Sequence, residues 1–302
     1  MHVDTLIANI VRGSLHDGRG IRTVVYFKGC NMKCKWCHNP ECISFQSEIL
    51  YADSKCIRCG VCVETCTNHV IYDDKHVFNR EGCTACGECA SNCPVNALEL
   101  CGVNMSTDTV LKEILKDKHY YDTSSGGVTF SGGECLLHPE YVLELCKLCK
   151  ENAVSITIET ALNVSWEAIE LVYPYVDTIY VDIKHMDDEK HCFHTGCSNE
   201  RVLNNLKRLA KVHGDIIVRT PLIPRVNDSY ENLVETAKFA HNLGIKRVEF
   251  LRYNILGKSK YGLLQKDYVS YSDETQAKEY MDDLCQRINC LIGEGDFVFW
   301  VE

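Results

Sequence analysis

Cys30, Cys34 and Cys37 lie in Gly-Cys-Asn-Met-Lys-Cys-Lys-Trp-Cys-His-Asn-Pro-Glu, a C-x3-C-x2-C run with an aromatic residue before its last cysteine. Three closely spaced thiolates can hold three irons of a cubane iron–sulfur cluster. No fourth cysteine falls at normal spacing, so one iron is left for another ligand. A metal lacking one protein ligand can bind substrate, whereas a fully ligated one stores electrons or structure. The triplet therefore points to chemistry.

A second group of cysteines points elsewhere. Cys56-x2-Cys59-x2-Cys62-x3-Cys66 is repeated as Cys83-x2-Cys86-x2-Cys89-x3-Cys93-Pro94. This is the bacterial ferredoxin run written twice, in which the fourth cysteine of each run ligates the other cluster. The ligand sets expected are Cys56, Cys59, Cys62 and Cys93 for one 4Fe-4S cluster, and Cys66, Cys83, Cys86 and Cys89 for the other. Structural zinc also uses C-x2-C pairs, but two matching four-cysteine runs speak against it. Fully ligated clusters suit electron relay or structure. The chain has 20 cysteines. Those outside both groups are Cys42, Cys101, Cys135, Cys146, Cys149, Cys192, Cys197, Cys285 and Cys290, read mostly as small buried hydrophobes.

The elements that must position these residues follow a rhythm. Ile21–Gly29 reads as a strand, and the triplet follows its C-terminal end. From about Tyr51 to Leu100 the long helical periodicity disappears and cysteines become dense, as in a small inserted module. Strands are then expected at Val128–Ser131, Val154–Glu159, Asp177–Ile183, Asp215–Pro221 and Arg247–Tyr253, with Phe297–Val301 as a last edge strand. Between them helices are expected at Asp108–Lys118, Pro139–Glu151, Ser165–Tyr173, Glu200–Val212, Ser229–Leu243 and Asp273–Leu291. Alternating strands and helices imply parallel βα units with right-handed crossovers. Six such strands are fewer than the eight of a closed barrel. Ligands gather at the C-terminal strand ends of such folds, where both the triplet and Ser131-Gly132-Gly133-Glu134 sit.

Composition narrows the function. The chain has 302 residues, 45% hydrophobic and 25% charged, with a net charge of -10. That balance disfavours a polyanionic partner, and no basic cluster suggests a nucleic-acid groove. No run is long and apolar enough to span a bilayer. The first residues lack a signal peptide's basic region and apolar core, so a cytoplasmic protein without nucleic-acid or membrane partners is expected. Thiol-rich clusters favour a low-oxygen cell.

The motifs Asp17-Gly18-Arg19-Gly20-Ile21-Arg22, the triplet, His38-Asn39-Pro40-Glu41, Ser131-Gly132-Gly133-Glu134 and Asp182-Ile183-Lys184, in that order, resemble those of the radical S-adenosylmethionine (radical SAM) enzymes. More narrowly, the chain resembles the glycyl-radical-enzyme activating enzymes, the family of pyruvate formate-lyase activase, over nearly its whole length. The ferredoxin insert is similar to that of activases for glycyl radical eliminases and dehydratases. The resemblance implies a partial (β/α)6 TIM-like barrel from residues 1–50 and 101–302, interrupted by a ferredoxin-like domain at 51–100. It implies three 4Fe-4S clusters, with S-adenosylmethionine chelating the open iron held by Cys30, Cys34 and Cys37. It implies roles for Trp36 beside the adenine, for Gly132, Gly133 and Glu134 around the methionine ammonium, and for Glu159, Thr160 and Asp182 around its carboxylate, with a monovalent cation there. Lys184 and Arg219 would add positive charge. The implied reaction is reductive cleavage of S-adenosylmethionine to methionine and a 5′-deoxyadenosyl radical, which takes a hydrogen from a glycine Cα of a partner glycyl radical enzyme. A flavodoxin or ferredoxin donor and a monomeric state complete the expectation.

The chain departs from the family at Arg19 (usually Pro), at Asn254 (a histidine in pyruvate formate-lyase activase), at Cys135 after Gly-Gly-Glu and at Glu159 (commonly Asp). None of these touches a cluster ligand. Asp182 and Lys184 also suit an ordinary solvated pair at a strand end. Two other functions fit parts of the chain. One is a radical SAM enzyme acting on a small molecule or another peptide. The other is a ferredoxin-like carrier, which explains the insert but not the triplet or Gly-Gly-Glu.

Overall fold

The computed structural model describes residues 4–293 and 297–301. Its strands are β1 (Asp4–Ser14), β2 (Arg22–Phe27), β3 (Glu48–Tyr51), β4 (His69–Tyr72), β5 (Lys75–Phe78), β6 (Leu98–Cys101), β7 (Val103–Ser106), β8 (Gly127–Gly132), β9 (Ser155–Thr160), β10 (Thr178–Asp182), β11 (Ile216–Pro221), β12 (Val248–Leu251) and β13 (Val298–Val301). A nine-stranded sheet runs in the order β13-β12-β11-β10-β9-β8-β2-β1-β7. Every pairing from β2 to β13 is parallel. The six parallel strands expected from the sequence are all present in chain order. The expected edge strand is β13, which extends the parallel set beside β12.

Parallel strands flanked by helices are buried on both faces and read as apolar runs. Accordingly β8 and β11 are buried along nearly their whole length. Helix Pro139–Glu151 opens with a proline, whose missing N–H does no harm at a helix start. It buries Tyr141, Val142, Leu145, Cys146 and Cys149 against the sheet. Cys146 and Cys149 thus pack as the small hydrophobes expected.

Several elements differ from the sequence reading. β1 and β7 add an antiparallel extension next to β2. β1 hides only Thr5 and Ile7 fully, so its apolar alternation is weak. Helix Asp188–Thr195 (DEKHCFHT) buries only His191 and Thr195 and carries no apolar stripe. The last helix begins at Lys278 rather than Asp273. Gln276, just before it, instead accepts the Tyr253 N–H through Oε1 (2.7 Å).

Between β2 and β7 lies a separate small unit. β3 pairs antiparallel with β6, and β4 with β5 in a hairpin. The only α-helices there, among the described residues, are Val61–Thr65 and Glu88–Ser91. Its core is Ile49, Tyr51, Cys62, Phe78, Cys89 and Leu98, apart from the main core. Among the described residues no helix is long and apolar enough to cross a membrane.

Candidate active site and metal centres

The cysteine loop leaves the end of β2 and is pinned by distant backbone. The Gly29 and Cys30 N–H groups donate to the carbonyls of Cys42 (2.8 Å) and Ile43 (3.0 Å). Those of Lys33 and Lys35 donate to Thr195 (2.7 Å) and His194 (3.0 Å). The helix that sequence patterning misses therefore holds the middle of the loop. Lys260 Nζ fastens the following turn by donating to Asn39 Oδ1 (2.6 Å) and Glu41 Oε1 (2.7 Å).

A cavity of about 320 Å³ opens at the C-terminal strand ends. Cys30, Cys34, Cys37, Trp36, Gly132, Gly133, Glu159, Thr160, Asp182, Lys184 and Arg219 all line it. Of the residues expected around the triplet and S-adenosylmethionine, Glu134 alone does not. Its buried carboxylate accepts from Thr160 Oγ1 (2.8 Å), the Ala161 N–H (3.0 Å) and the Leu136 N–H (3.2 Å). It braces the end of β9 from behind the cavity wall. Burial pushes its carboxyl up to about 7, against the pull of those bonds.

The two glycines also have a packing reason. A Cβ on Gly133 would lie 2.2 Å from the Gly29 carbonyl oxygen and 2.6 Å from that of Cys42. A Cβ on Gly132 (φ +113°) would lie 2.3 Å from the Phe27 nitrogen. Only glycine lets this turn press against the root of the cysteine loop, and the Gly133 and Glu134 N–H groups bond to Phe27 (2.9 Å) and Gly29 (2.8 Å) carbonyls there.

The charged wall follows from register. Arg219 pairs in register with Asp182 on one side and Glu249 on the other. Its Nε donates to Glu249 (2.9 Å) and its Nη1 to Glu159 (2.7 Å), and its guanidinium lies 3.5 Å over the Tyr180 ring. Burial opposes the Arg219 charge, but Glu159 and Glu249 outweigh it and raise the pKa. Burial likewise raises the Glu159 carboxyl, against Arg219. Lys184 Nζ donates to Asp182 (2.7 Å), with side chains 13% and 31% exposed, so the pair is a largely shielded part of the wall. Trp36 is buried against Ile223 and Tyr253. Glu249 and Tyr180 escaped the sequence reading. A lone carboxylate inside the apolar run Val-Glu-Phe-Leu was the signal for Glu249, because such a charge needs a partner.

The three cysteines have the donor chemistry of an iron–sulfur site. Burial pushes the Cys30 thiol up to about 12 and raises those of Cys34 and Cys37. Cluster-free thiols there stay protonated at neutral pH, and loading iron displaces their protons.

The insert cysteines also come together as two groups. Cys56, Cys59, Cys62 and Cys93 line one small cavity. Burial pushes Cys89 up to about 11, helped by the neighbouring sulfurs of Cys66, Cys83 and Cys86. The backbone repeats with the sequence: Arg58 and Ala85 are left-handed (φ 56° and 53°), as are Gly60 and Gly87 (both 85°). Backbone N–H groups donate to sulfur at Cys83 (from Ala85, 3.3 Å) and Cys93 (from Ala97, 3.2 Å). His69 and His76, whose spacing in the sequence suggests packing or surface residues rather than ligands, are buried beside Cys62.

A parallel α/β sheet whose strand ends enclose three cysteines and a charged wall defines a metal-dependent enzyme. Residues 81–256 match the Radical SAM superfamily model, residues 16–59 a 4Fe-4S single cluster domain and residues 55–97 a 4Fe-4S dicluster domain. The (2S)-3-sulfopropanediol dehydratase activating enzyme of Klebsiella oxytoca is 40% identical over 87% of this chain and 86% of that protein. The 4-hydroxyphenylacetate decarboxylase activating enzyme of Clostridioides difficile is 36% identical over 92% of this chain and 90% of that protein. The fold is also similar to that of Streptococcus suis SuiB bound to precursor peptide SuiA, with a TM-score of 0.57 at 14% identity, covering 92% of this chain and 48% of that one. The chain belongs to the radical SAM superfamily and, within it, to the glycyl-radical-enzyme activating enzymes.

Proposed function

We propose that this activating enzyme installs a glycyl radical on a partner enzyme through three 4Fe-4S clusters and S-adenosylmethionine. The observation that carries the reading is the meeting of Cys30, Cys34 and Cys37 with Lys184, Arg219 and their carboxylates around one cavity. Bound there, a reduced cluster would give one electron to S-adenosylmethionine, yielding methionine and a 5′-deoxyadenosyl radical that would leave as 5′-deoxyadenosine on taking a hydrogen from the partner's glycine Cα.

The chain's own residues position and shield. Cys30, Cys34 and Cys37 hold three irons. Lys184 and Arg219 would attract the methionine carboxylate, and Glu159, Glu249 and the Tyr180 ring hold the Arg219 guanidinium in place. Arg247 also donates to Glu249 (2.7 Å), so that carboxylate is balanced within the wall; the monovalent cation of this reading would sit beside Glu159, Thr160 and Asp182. The Gly132-Gly133 backbone receives the ammonium, and Glu134 holds the neighbouring loop. Trp36 packs along the adenine, while Met32, Leu222 and Ile223 keep water from the reacting atoms.

The division into residues 1–50 and 101–302 for the barrel and 51–100 for the insert is supported by the separate core around Cys62 and Cys89. The insert carries its clusters on Cys56, Cys59, Cys62 and Cys93, and on Cys66, Cys83, Cys86 and Cys89. The reading extends to a monomeric cytoplasmic enzyme fed by flavodoxin or ferredoxin. The insert's place between the first two parallel strands favours an activase over a radical SAM enzyme acting on a small molecule or another peptide.

The test mixes anaerobic, reduced holoprotein with S-adenosylmethionine and a glycyl radical enzyme carrying its glycine loop. A glycyl radical signal on the partner in electron paramagnetic resonance is expected. Cleavage of S-adenosylmethionine with every glycyl radical partner left silent would overturn the activase reading.

A further inference from the structure

The two insert cysteine sets match in spacing and backbone but not in what faces their sulfurs. The β4–β5 hairpin brings His69 and His76 onto one set only. His76 Nδ1 lies 3.5 Å from Cys56 Sγ, and His76 Nε2 lies 3.5 Å from Cys62 Sγ and 2.9 Å from His69 Nδ1. Both rings are buried, packed between Tyr51 (4.7 Å from His76) and Phe78 (4.6 Å from His69). The Tyr51 hydroxyl also lies beside the Cys56 sulfur, but its single proton goes to Asp53 (2.6 Å). Each set has one arginine nearby, Arg58 beside Cys56 and Arg80 beside Cys83, but among the described residues no side-chain nitrogen hydrogen-bonds Cys66, Cys83, Cys86 or Cys89, and Cys83 receives the Ala85 N–H (3.3 Å).

The direction of the histidine pair can be worked out. His69 Nε2 is buried and has no partner. A buried N–H without an acceptor is costlier than a bare lone pair, so His69 carries its proton on Nδ1 and donates it to His76 Nε2. His76 then carries its own proton on Nδ1, aimed at Cys56.

We infer that His76, oriented by His69, donates its Nδ1–H to the Cys56 thiolate and thereby makes the cluster of Cys56, Cys59, Cys62 and Cys93 the more easily reduced of the two insert clusters. Reduction adds one electron from an external reductant and spreads negative charge onto the ligand sulfurs. A hydrogen bond to one of them stabilises that state and raises the potential. No other bond forms or breaks. His76 is a positioning residue, and the inference rests on the assignment of these four cysteines to one cluster.

The experiment is an anaerobic redox titration of the holoprotein with dithionite, followed by electron paramagnetic resonance, for the natural chain, His76→Phe, His76→Asn and His69→Phe. His76→Phe is expected to lower one insert-cluster potential by about tenfold in its reduction equilibrium, ~59 mV for a one-electron couple. The other insert cluster and the triplet cluster stay in place. His76→Asn, which keeps a short N–H donor, restores most of the shift, and His69→Phe gives a smaller shift of the same sign. If His76→Phe loses iron, natural holoprotein with isotopically labelled histidine decides: one reduced insert cluster shows a histidine nitrogen coupling and the other shows none. An unmoved potential with full iron content, or coupling to neither cluster, would overturn the inference alone. A chain that loads only the triplet cluster, or that holds a single metal ion on Cys62, His69 and His76, would overturn both the inference and the two-cluster assignment beneath it.

Discussion

The cysteine loop at the end of β2 and the cysteine-rich insert use the same side chain with opposite architectures. In the insert each run is shaped by its own neighbours, through the left-handed residues 58, 60, 85 and 87 and two short helices. The loop at residues 29–37 has a slighter local frame, the Cys37 N–H to the Cys34 carbonyl (3.1 Å) and the Met32 N–H to Cys30 Sγ (3.4 Å). It is held by carbonyls at 42–43 and 194–195 and by the glycine turn after β8. Around it stands a wall of paired charges from β9 to β12, whereas the insert surrounds its sulfurs mostly with apolar side chains, the His69–His76 pair and Arg58 apart. Local framing suits a saturated cluster that only passes electrons. Long-range framing suits a site that must face both a ligand and a partner.

The comparison is most strongly tested at the wall. Arg219→Met strands the Glu159 carboxylate among buried groups and is expected to destabilise the fold by about 3–5 kcal/mol. Anaerobic denaturation measures this, and the insert's cluster spectra should stay unchanged. If those spectra collapse together with the wall, the two regions are not independent.

Glu134 gives a pH test of the same framing. Its folded pKa of about 7 stands above the ordinary 4.5, so the folded chain keeps a proton that the unfolded chain releases. The stability from this group is full below pH 4.5 and is lost as pH rises through 7, a fall of roughly 3 kcal/mol. Glu134→Gln is expected to flatten that part of the unfolding free energy against pH. An unchanged slope would remove Glu134 from its place as a buried brace.

Gly133→Ala probes the contact between turn and loop. The added carbon meets backbone oxygens that cannot swing aside, and the cost expected is about 1–3 kcal/mol. Iron analysis should show the triplet cluster depleted first. The smallest effect belongs to Lys260→Met, which breaks a pair with Glu41 at the rim of the fold (side chains 38% and 14% exposed). Its loss is expected at about 0.2–1 kcal/mol, shrinking at high salt.

Much of this was legible in the sequence because its signals are local. The two insert runs and the triplet could be read from spacing, and the parallel strands from apolar runs separated by helical periods. β1 was not, because only two of its residues are fully hidden. Helix Asp188–Thr195 was not, because its work is to present carbonyls to Lys33 and Lys35 rather than an apolar face. Glu134 carries the right motif, yet its direction away from the cavity is set by β9, a partner far along the chain. The same holds for Gly132 and Gly133, whose missing side chains make room for backbone from residues 27–42. The His69–His76 pair became visible only once the hairpin folded them onto Cys56.

The central claim is that the triplet performs the chemistry and the insert serves it. Release of 5′-deoxyadenosine by the reduced holoprotein on adding S-adenosylmethionine, compared among the natural chain, Cys34→Ala and Cys59→Ala, tests it most directly. The expected result is complete loss in Cys34→Ala with both insert clusters retained, and residual release in Cys59→Ala with the triplet cluster intact. Continued release by Cys34→Ala would contradict the claim.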